Sequence, residues 1–329
     1  MLVLSDKMDI KEQIKIIDYE LNHLGFEREP SELYEPIRYF LKNGGKRLRP
    51  LLTLLGCYLF TDDYQRALKP GIGVEIFHNF TLVHDDIMDN APIRRGNKTV
   101  HEKWNKNVAI LSGDTMLFKA YDYLIQVDKE LVQKIIALFN QCAVEVCEGQ
   151  QHDMNFENRS TVSEQEYIRM IQSKTASLLG FSLQLGALVG GANDEDANNL
   201  KCFGLLLGTG FQLKDDLLDV YGEAKKFGKR VGGDIIANKK TYLLIQALNL
   251  ANSSQKEVLE YWLQKHGHDE EKVEQITEIY NQIGIKELAE SKMNEYFTSG
   301  FQYLDKVSCS SERKNHLIVF SKSLIYRES

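Results

Sequence analysis

Apolar residues along this chain recur at steps of three and four, the spacing of one face of an α-helix, and not in strand-like alternation. The pattern is clear in LVQKIIALFNQCAVEVCEGQ (131–150) and TASLLGFSLQLGALVGG (175–191). It predicts helices of roughly fifteen to twenty residues. Residues 48–60 and 200–213 are apolar nearly all round, as expected of helices at the centre of a multi-helix bundle. The five prolines, Pro30, Pro36, Pro50, Pro70 and Pro92, all fall in the first third, leaving more than two hundred residues without an intrinsic helix breaker. An all-α fold follows. Gly-rich breaks at NGG (43), VGGAND (189) and RVGGD (230) mark helix ends, and the tail after Ser308 carries a serine cap and the period of a last helix. No repeat, linker or low-complexity stretch intervenes, so residues 1–329 are expected to form one domain.

Composition narrows the function. A chain of 329 residues that is 43% hydrophobic and 26% charged is long enough to bury a large core. Its net charge of -7, with no block of like charges, argues against a nucleic-acid surface. The cysteines Cys57, Cys142, Cys147, Cys202 and Cys309 show neither C-x-x-C pairing nor histidine spacing, so reduced core thiols are expected, not a zinc site or disulfide framework. The N-terminal apolar run is too short for a signal peptide, and no stretch is long enough to span a bilayer. A cytoplasmic protein without a membrane anchor is expected.

The candidate chemistry lies in two acidic motifs. In LVHDDIMDNAPIRRG (82–96), Asp85 and Asp89 stand at i and i+4, one turn apart on one helix face, with Asp86 offset toward the flank. Stacked like charges are tolerable only in water or bridged by cations, and Mg²⁺ bound by carboxylates and phosphate oxygens is the obvious bridge. A single motif of this kind also fits a solvated acidic face. The arrangement returns in FQLKDDLLD (211–219), where Asp215 and Asp219 are one turn apart with Asp216 between. There the neighbours are Phe211, Leu213, Leu217, Leu218 and Val220, so these acids are expected to line a polar cavity in the bundle core, facing the first set. A di-iron carboxylate site would need Glu-x-x-His pairs, which are missing near both motifs. Mg²⁺ with a phosphorylated ligand fits better. Such a ligand also needs protein cations, and these come in clusters: GGKRLRP (44–50), RRG (94–96), Lys174 and GKRVGGDIIANKKT (228–241).

Taken in order, GGKRLRP, His78 seven residues before DDIMD, RRG, GQQHD at 149, Lys174-Thr175, FQLKDD, GKRVGGD and NKKT resemble the trans-isoprenyl diphosphate synthases. These are the head-to-tail prenyltransferases of the polyprenyl synthetase family, and the resemblance covers nearly the whole chain. It implies an all-α bundle whose two acidic motifs face each other across a central cavity. There, three Mg²⁺ hold the diphosphate of an allylic substrate, which is condensed with isopentenyl diphosphate. By position it makes Asp85, Asp86, Asp89 and Asp215 metal ligands, with Asp216 and Asp219 in or near the second cluster. It also assigns Arg94, Lys174, Lys229 and Lys239 to the allylic diphosphate, and Lys46, Arg49, His78 and Arg95 to isopentenyl diphosphate. Backbone and side-chain oxygens near Lys174, Thr175 and Gln212 are assigned to stabilising the allylic cation by their dipoles. A homodimer is implied as well. Two departures stand out: the Glu-Gly usual before the later lysine is Ala237-Asn238, and Lys214 sits directly beside the second motif.

Product length should depend on what precedes Asp85 on its own helix. Thr81 lies one turn before and Phe77 two turns before, roughly 6 Å and 12 Å along the axis, with Phe80 farther round. Small Thr81 would let a prenyl tail pass and the two rings would stop it. The aromatic at Phe80 resembles the short-chain, geranylgeranyl type, with a fifteen-carbon product as the alternative and a purely core role for both rings still open. A class I terpene cyclase would not need the isopentenyl site, and a non-catalytic partner subunit would be expected to lose acids from one motif; none is lost.

Overall fold

The computed structural model describes residues 8–222, 231–265 and 269–325. Among the described residues the regular elements are helices and one hairpin of two-residue strands, and the chain divides into two compact units, neither of them a continuous segment. The first comprises Met1–Gln141, Phe181–Lys201 and Val307–Lys314; the second comprises Cys142–Gly180, Cys202–Lys306 and Asn315–Ser329.

The first unit holds α1 (Ile10–Asn22), α2 (Ser31–Lys42), α3 (Leu48–Tyr58), α4 (Leu68–Met88), the strands β1 (Ile93–Arg94) and β2 (Asn97–Lys98), the single turn α5 (Val100–Lys103) and α6 (Lys106–Leu124). Nine consecutive residues of α3, from Pro50 to Tyr58, are buried, which matches the all-round apolar pattern. Pro50 and Pro70 sit in the first turns of α3 and α4, where the missing N–H breaks no ladder. The main packing in this unit is α4 against α6, and buried Phe77 stacks edge-on to Phe139 at 4.9 Å.

The next helices contribute residues to both units: α7 (Lys129–Glu157), α9 (Ser177–Val189) and α10 (Asp194–Tyr221). At 29 and 28 residues, α7 and α10 outrun the predicted length, because neither a proline nor a cap interrupts them. The second unit adds α8 (Glu164–Ile171), a π-helical turn at Gln172–Ala176, α11 (Gly233–Ile236), α12 (Tyr242–Leu250), α13 (Ser253–Gln264), α14 (Asp269–Ile283) and α15 (Ile285–Lys306). Its core gathers Tyr167, Leu213, Leu217, Leu243, Trp262, Ile276 and Tyr280. A Ser163/Glu166 capping box starts α8, and Asn252/Gln255 starts α13. The predicted last helix is α16 (Ser311–Ile325).

The glycine breaks fall where expected: α2 stops before Gly44-Gly45, α9 before Gly190-Gly191, and α11 opens after Gly232. The cysteine expectation needs correcting. No described cysteine is in a disulfide, but only Cys57 and Cys142 are core thiols; Cys147 is exposed, because it falls on the outward face of α7. Among the described residues no helix is long and apolar enough to cross a membrane.

Candidate active site

The first acidic motif occupies the C-terminal turn of α4. Asp85 is half-buried, Asp86 is buried, and exposed Asp89 is the C-cap, its N–H donating to the Asp85 carbonyl at 2.8 Å. Asn90 takes a left-handed φ of 47°, and the Asn90 and Ala91 N–H groups close on the carbonyls of Ile87 and Asp86, a complete Schellman end. A helix C-terminus carries the negative end of the backbone dipole, so three carboxylates there are disfavoured unless cations offset them. No basic residue lies in the last turn to do so.

One cation arrives from the next element. The hairpin turn Arg95-Gly96 has φ of 52° and 77°, the signs of a type I′ turn, which only a glycine adopts at little cost at its second position. Beside that turn, Arg94 Nε donates to Asp86 Oδ1 at 2.7 Å. Burial pushes the Asp86 carboxyl up even so, and its Oδ2 has no partner. Asp86 is therefore not on the flank, as the helical wheel predicts, but turned inward and bonded.

The basic residues of this unit converge on His78. Its pKa is held well below the usual value by burial first, and then by the guanidinium charges of Arg49, Arg95, Arg94 and Arg47. Four guanidinium charges whose fields reach one imidazole are the electrostatic profile of an anion site. Arg95 reaches back to the Gly44 carbonyl, while Lys46 is exposed and Arg49 half-buried. The sequence passed over Arg47. It is buried at 3% exposure, with φ of 48° at the start of α3, and pairs with Glu75 at 3.1 Å and Asp18 at 2.7 Å. The signal was Glu75, a lone acid on the apolar face of α4, whose burial demands a partner.

Farther back on α4, Phe77 is 1% exposed, and its ring centroid lies 5.6 Å from that of half-buried Phe80. Half-buried Thr81 donates its Oγ1 hydroxyl to the His78 carbonyl at 2.8 Å.

The second unit repeats the arrangement. Asp215, Asp216 and Asp219 lie in the last two turns of α10, again with no basic residue in the last turn. Asp215 is exposed and Asp219 half-buried, whereas Asp216 is buried. The Tyr167 hydroxyl donates to Asp216 Oδ2 and Gln212 Nε2 to Oδ1 at 3.3 Å. Burial pushes the Asp216 carboxyl up to about 7, against the lowering effect of the Tyr167 bond. Asp219 accepts from the Asp234 N–H at 2.9 Å, which ties the segment around α11 to the motif. Beside the motif, Lys214 Nζ donates to the Ile325 carbonyl at 2.8 Å and so caps the end of α16.

Lys174 and Thr175 lie in the π-helical turn, a form that is rare and frequent at functional sites. Thr175 Oγ1 reaches Gln212 Oε1 at 3.4 Å, and Lys174 Nζ bonds Asp153 Oδ2 at 2.5 Å. A Cβ on Gly149 would lie 2.3 Å from the Lys174 nitrogen, so only glycine lets α7 approach this closely. Lys239 is exposed, with Nζ 3.6 Å from Asp234. Lys229 lies outside the described residues. Tyr167 was missed because a tyrosine on the buried face of an amphipathic helix carries no sequence mark of polarity.

Among the described residues no three His, Cys, Asp or Glu side chains gather closely enough to hold a metal unaided. The donors present are carboxylates at helix ends that repel anions, which suits a hard cation completed by phosphate oxygens and water.

Residues 30–280 match the model of the polyprenyl synthetase family. The chain is 38% identical over 322 residues to a geranylgeranyl pyrophosphate synthase of Geoglobus acetivorans, covering 97% of this chain and 98% of that one. It is 43% identical over 247 residues to a geranylgeranyl diphosphate synthase of Saccharolobus solfataricus, covering 74% of each. Its fold matches a crystal structure of a geranylgeranyl pyrophosphate synthase at TM-score 0.93 and 40% identity, over 98% of this chain and 100% of that one.

The four arginines around His78 lead to a titration. An anion bound among them offsets the positive field that depresses the imidazole, so saturating inorganic pyrophosphate should raise the His78 pKa, read by NMR of the ring protons. An unmoved or lowered value would show that the guanidiniums do not gather an anion beside this ring.

Proposed function

The chain belongs to the polyprenyl synthetase family, and on that footing we propose that it condenses isopentenyl diphosphate with allylic diphosphates, head to tail, to make geranylgeranyl diphosphate. The observation that carries this reading is one arrangement built twice: a carboxylate motif within the last two turns of a helix, with the cations that a diphosphate needs set around it. The whole chain serves as one synthase domain. Both motifs act on a single allylic diphosphate.

Asp85, Asp89 and Asp215 would hold the metal, expected as three Mg²⁺, with Asp219 at the edge of the set. Asp86 and Asp216, each turned inward onto a donor, anchor the motifs instead. When bound there, Mg²⁺ would supply positive charge against the diphosphate oxygens. The protein's own part is to place Arg94, Lys174 and Lys239 against the same oxygens. Arg94 keeps Nε on Asp86 and offers its Nη groups. As the allylic C–O bond breaks, both electrons stay on the departing oxygen, so these cations bind the transition state more tightly than the substrate. The Thr175 hydroxyl and Gln212 carbonyl dipoles face the allylic cation. Lys46, Arg49, Arg95 and His78 hold isopentenyl diphosphate, whose double bond attacks the cation; the proton then lost goes to the released diphosphate.

The tail of the growing chain runs back along α4 toward Thr81 and Phe80, and half-buried Phe80 is the stop for a twenty-carbon product. Phe77, fully buried against Phe139, backs that ring. The protein works as a homodimer through α6 and its C-cap, where Leu111, Phe118 and the cap Ile125 are 59%, 71% and 46% exposed at seven-residue steps.

Asp85→Ala and Asp215→Ala should each lower turnover of farnesyl and isopentenyl diphosphates by at least about 10²–10³-fold with unchanged helical circular dichroism. Near-normal rates in either variant would refute the assignment. Phe80→Ala should shift the product beyond twenty carbons on a chromatogram. Phe77→Ala should instead lower stability by about 3–5 kcal/mol; unaltered products from Phe80→Ala would put the stop elsewhere. Phe118→Glu should convert a dimer to a monomer by sedimentation, and a variant that sediments like the parent would exclude this face.

A further inference from the structure

The turn that presents Lys239 is held by a residue far along the chain. α11 ends at Ala237 in a Schellman motif: the Asn238 N–H donates to the Ile235 carbonyl at 3.1 Å and the Lys239 N–H to the Asp234 carbonyl at 2.9 Å. This motif needs a left-handed residue at position 238, and Asn238 has φ of 55°. Glycine takes that conformation freely. Asparagine takes it against a steric penalty, so something must hold it.

Two helices do. Asn238 Nδ2 donates to the Leu263 carbonyl of α13 at 3.0 Å, and Lys272 Nζ of α14 donates to Asn238 Oδ1 at 2.6 Å and reaches the Ile236 carbonyl at 3.4 Å. Lys272 is 2% exposed, and a buried amine is retained only where its donors are met. Asn238 and Lys239, with Asp216, Asp234, Thr241 and Tyr280, also wall a cavity of about 10 Å³, room for one water at most. The turn therefore closes directly on the second acidic motif.

We propose that Lys272 is a positioning residue for substrate binding: its grip on Asn238 holds the left-handed turn that aims the Lys239 ammonium at the allylic diphosphate. This rests on the assignment of Lys239 made above. Asparagine and lysine here do jointly what a glycine at 238 would do alone. A change of backbone angle at 238 swings the Cα–Cβ bond of the next residue, and a displaced ammonium loses phosphate contact without leaving the protein.

The test measures steady-state kinetics and amide exchange together. Lys272→Met removes the donors at similar volume; it should raise KM for the allylic primer about tenfold, leave KM for isopentenyl diphosphate unchanged, and speed exchange of the Lys239 amide. Asn238→Ala should do the same and carries the test if Lys272→Met does not fold. Asn238→Gly should keep the allylic KM within about twofold, at some loss in Tm, and in its background Lys272→Met should have no further effect on that KM. A merely structural lysine would lower Tm in both backgrounds and leave the allylic KM alone, which overturns the proposal. Lys239→Ala, run alongside, separates the two readings. If it raises the allylic KM while Lys272→Met does not, the clamp is wrong. If it has no effect, the assignment of Lys239 falls and takes this proposal with it.

Discussion

Everything at the candidate site depends on one electrostatic constraint: carboxylates are stacked one turn apart near the C-terminal ends of two helices, where like charges repel and the last turn already carries the negative pole of the backbone. α4 and α10 each finish in a motif with two aspartates one turn apart and a third between them, and neither has a basic residue in its last turn. Dipole and neighbours both oppose the charge. Such ends persist in an otherwise apolar helix only if the charge is divided between groups settled within the protein and groups that recruit cations from outside it.

The division is the same in both units. The middle aspartate is buried and bonded, Asp86 to Arg94 and Asp216 to Tyr167 and Gln212, while its neighbours stay nearer the surface. Burying the middle carboxylate raises its pKa in both cases, against the lowering effect of the donor bonded to it. The cations follow the same economy. Arg47 is used up inside the fold on Glu75 and Asp18, and its charge still reaches His78. Lys174 is parked on Asp153, an ion pair that a diphosphate would have to displace.

Much of this was legible in the sequence because it rests on periodicity and on residues with little choice. Steps of three and four gave the helices, glycines gave their ends, and i, i+4 spacing put Asp85 over Asp89 and Asp215 over Asp219. What stayed hidden depends on partners distant in the chain. Nothing local says that Asp86 turns inward, because its partner sits on a hairpin whose strands are two residues long. Tyr167 looks like any core aromatic until Asp216, 49 positions on, appears against its hydroxyl. The Ala237-Asn238 departure has no visible consequence in the sequence, and only the fold brings Lys272, 34 positions on, to the Asn238 side chain. Phe77 and Phe80 were read as a pair, yet burial separates them, one in the core and one at its edge.

The division of labour among the six aspartates is the central claim, and counting bound ions tests it most directly. With an unreactive thiolodiphosphate analogue of the allylic substrate and Mn²⁺ in place of Mg²⁺, electron paramagnetic resonance reports how many ions each variant holds. Asp85→Asn and Asp215→Asn are each expected to lower the count, while Asp86→Asn and Asp216→Asn keep it. Equal losses from the inward aspartates, or a full count in both outer variants, would contradict the account.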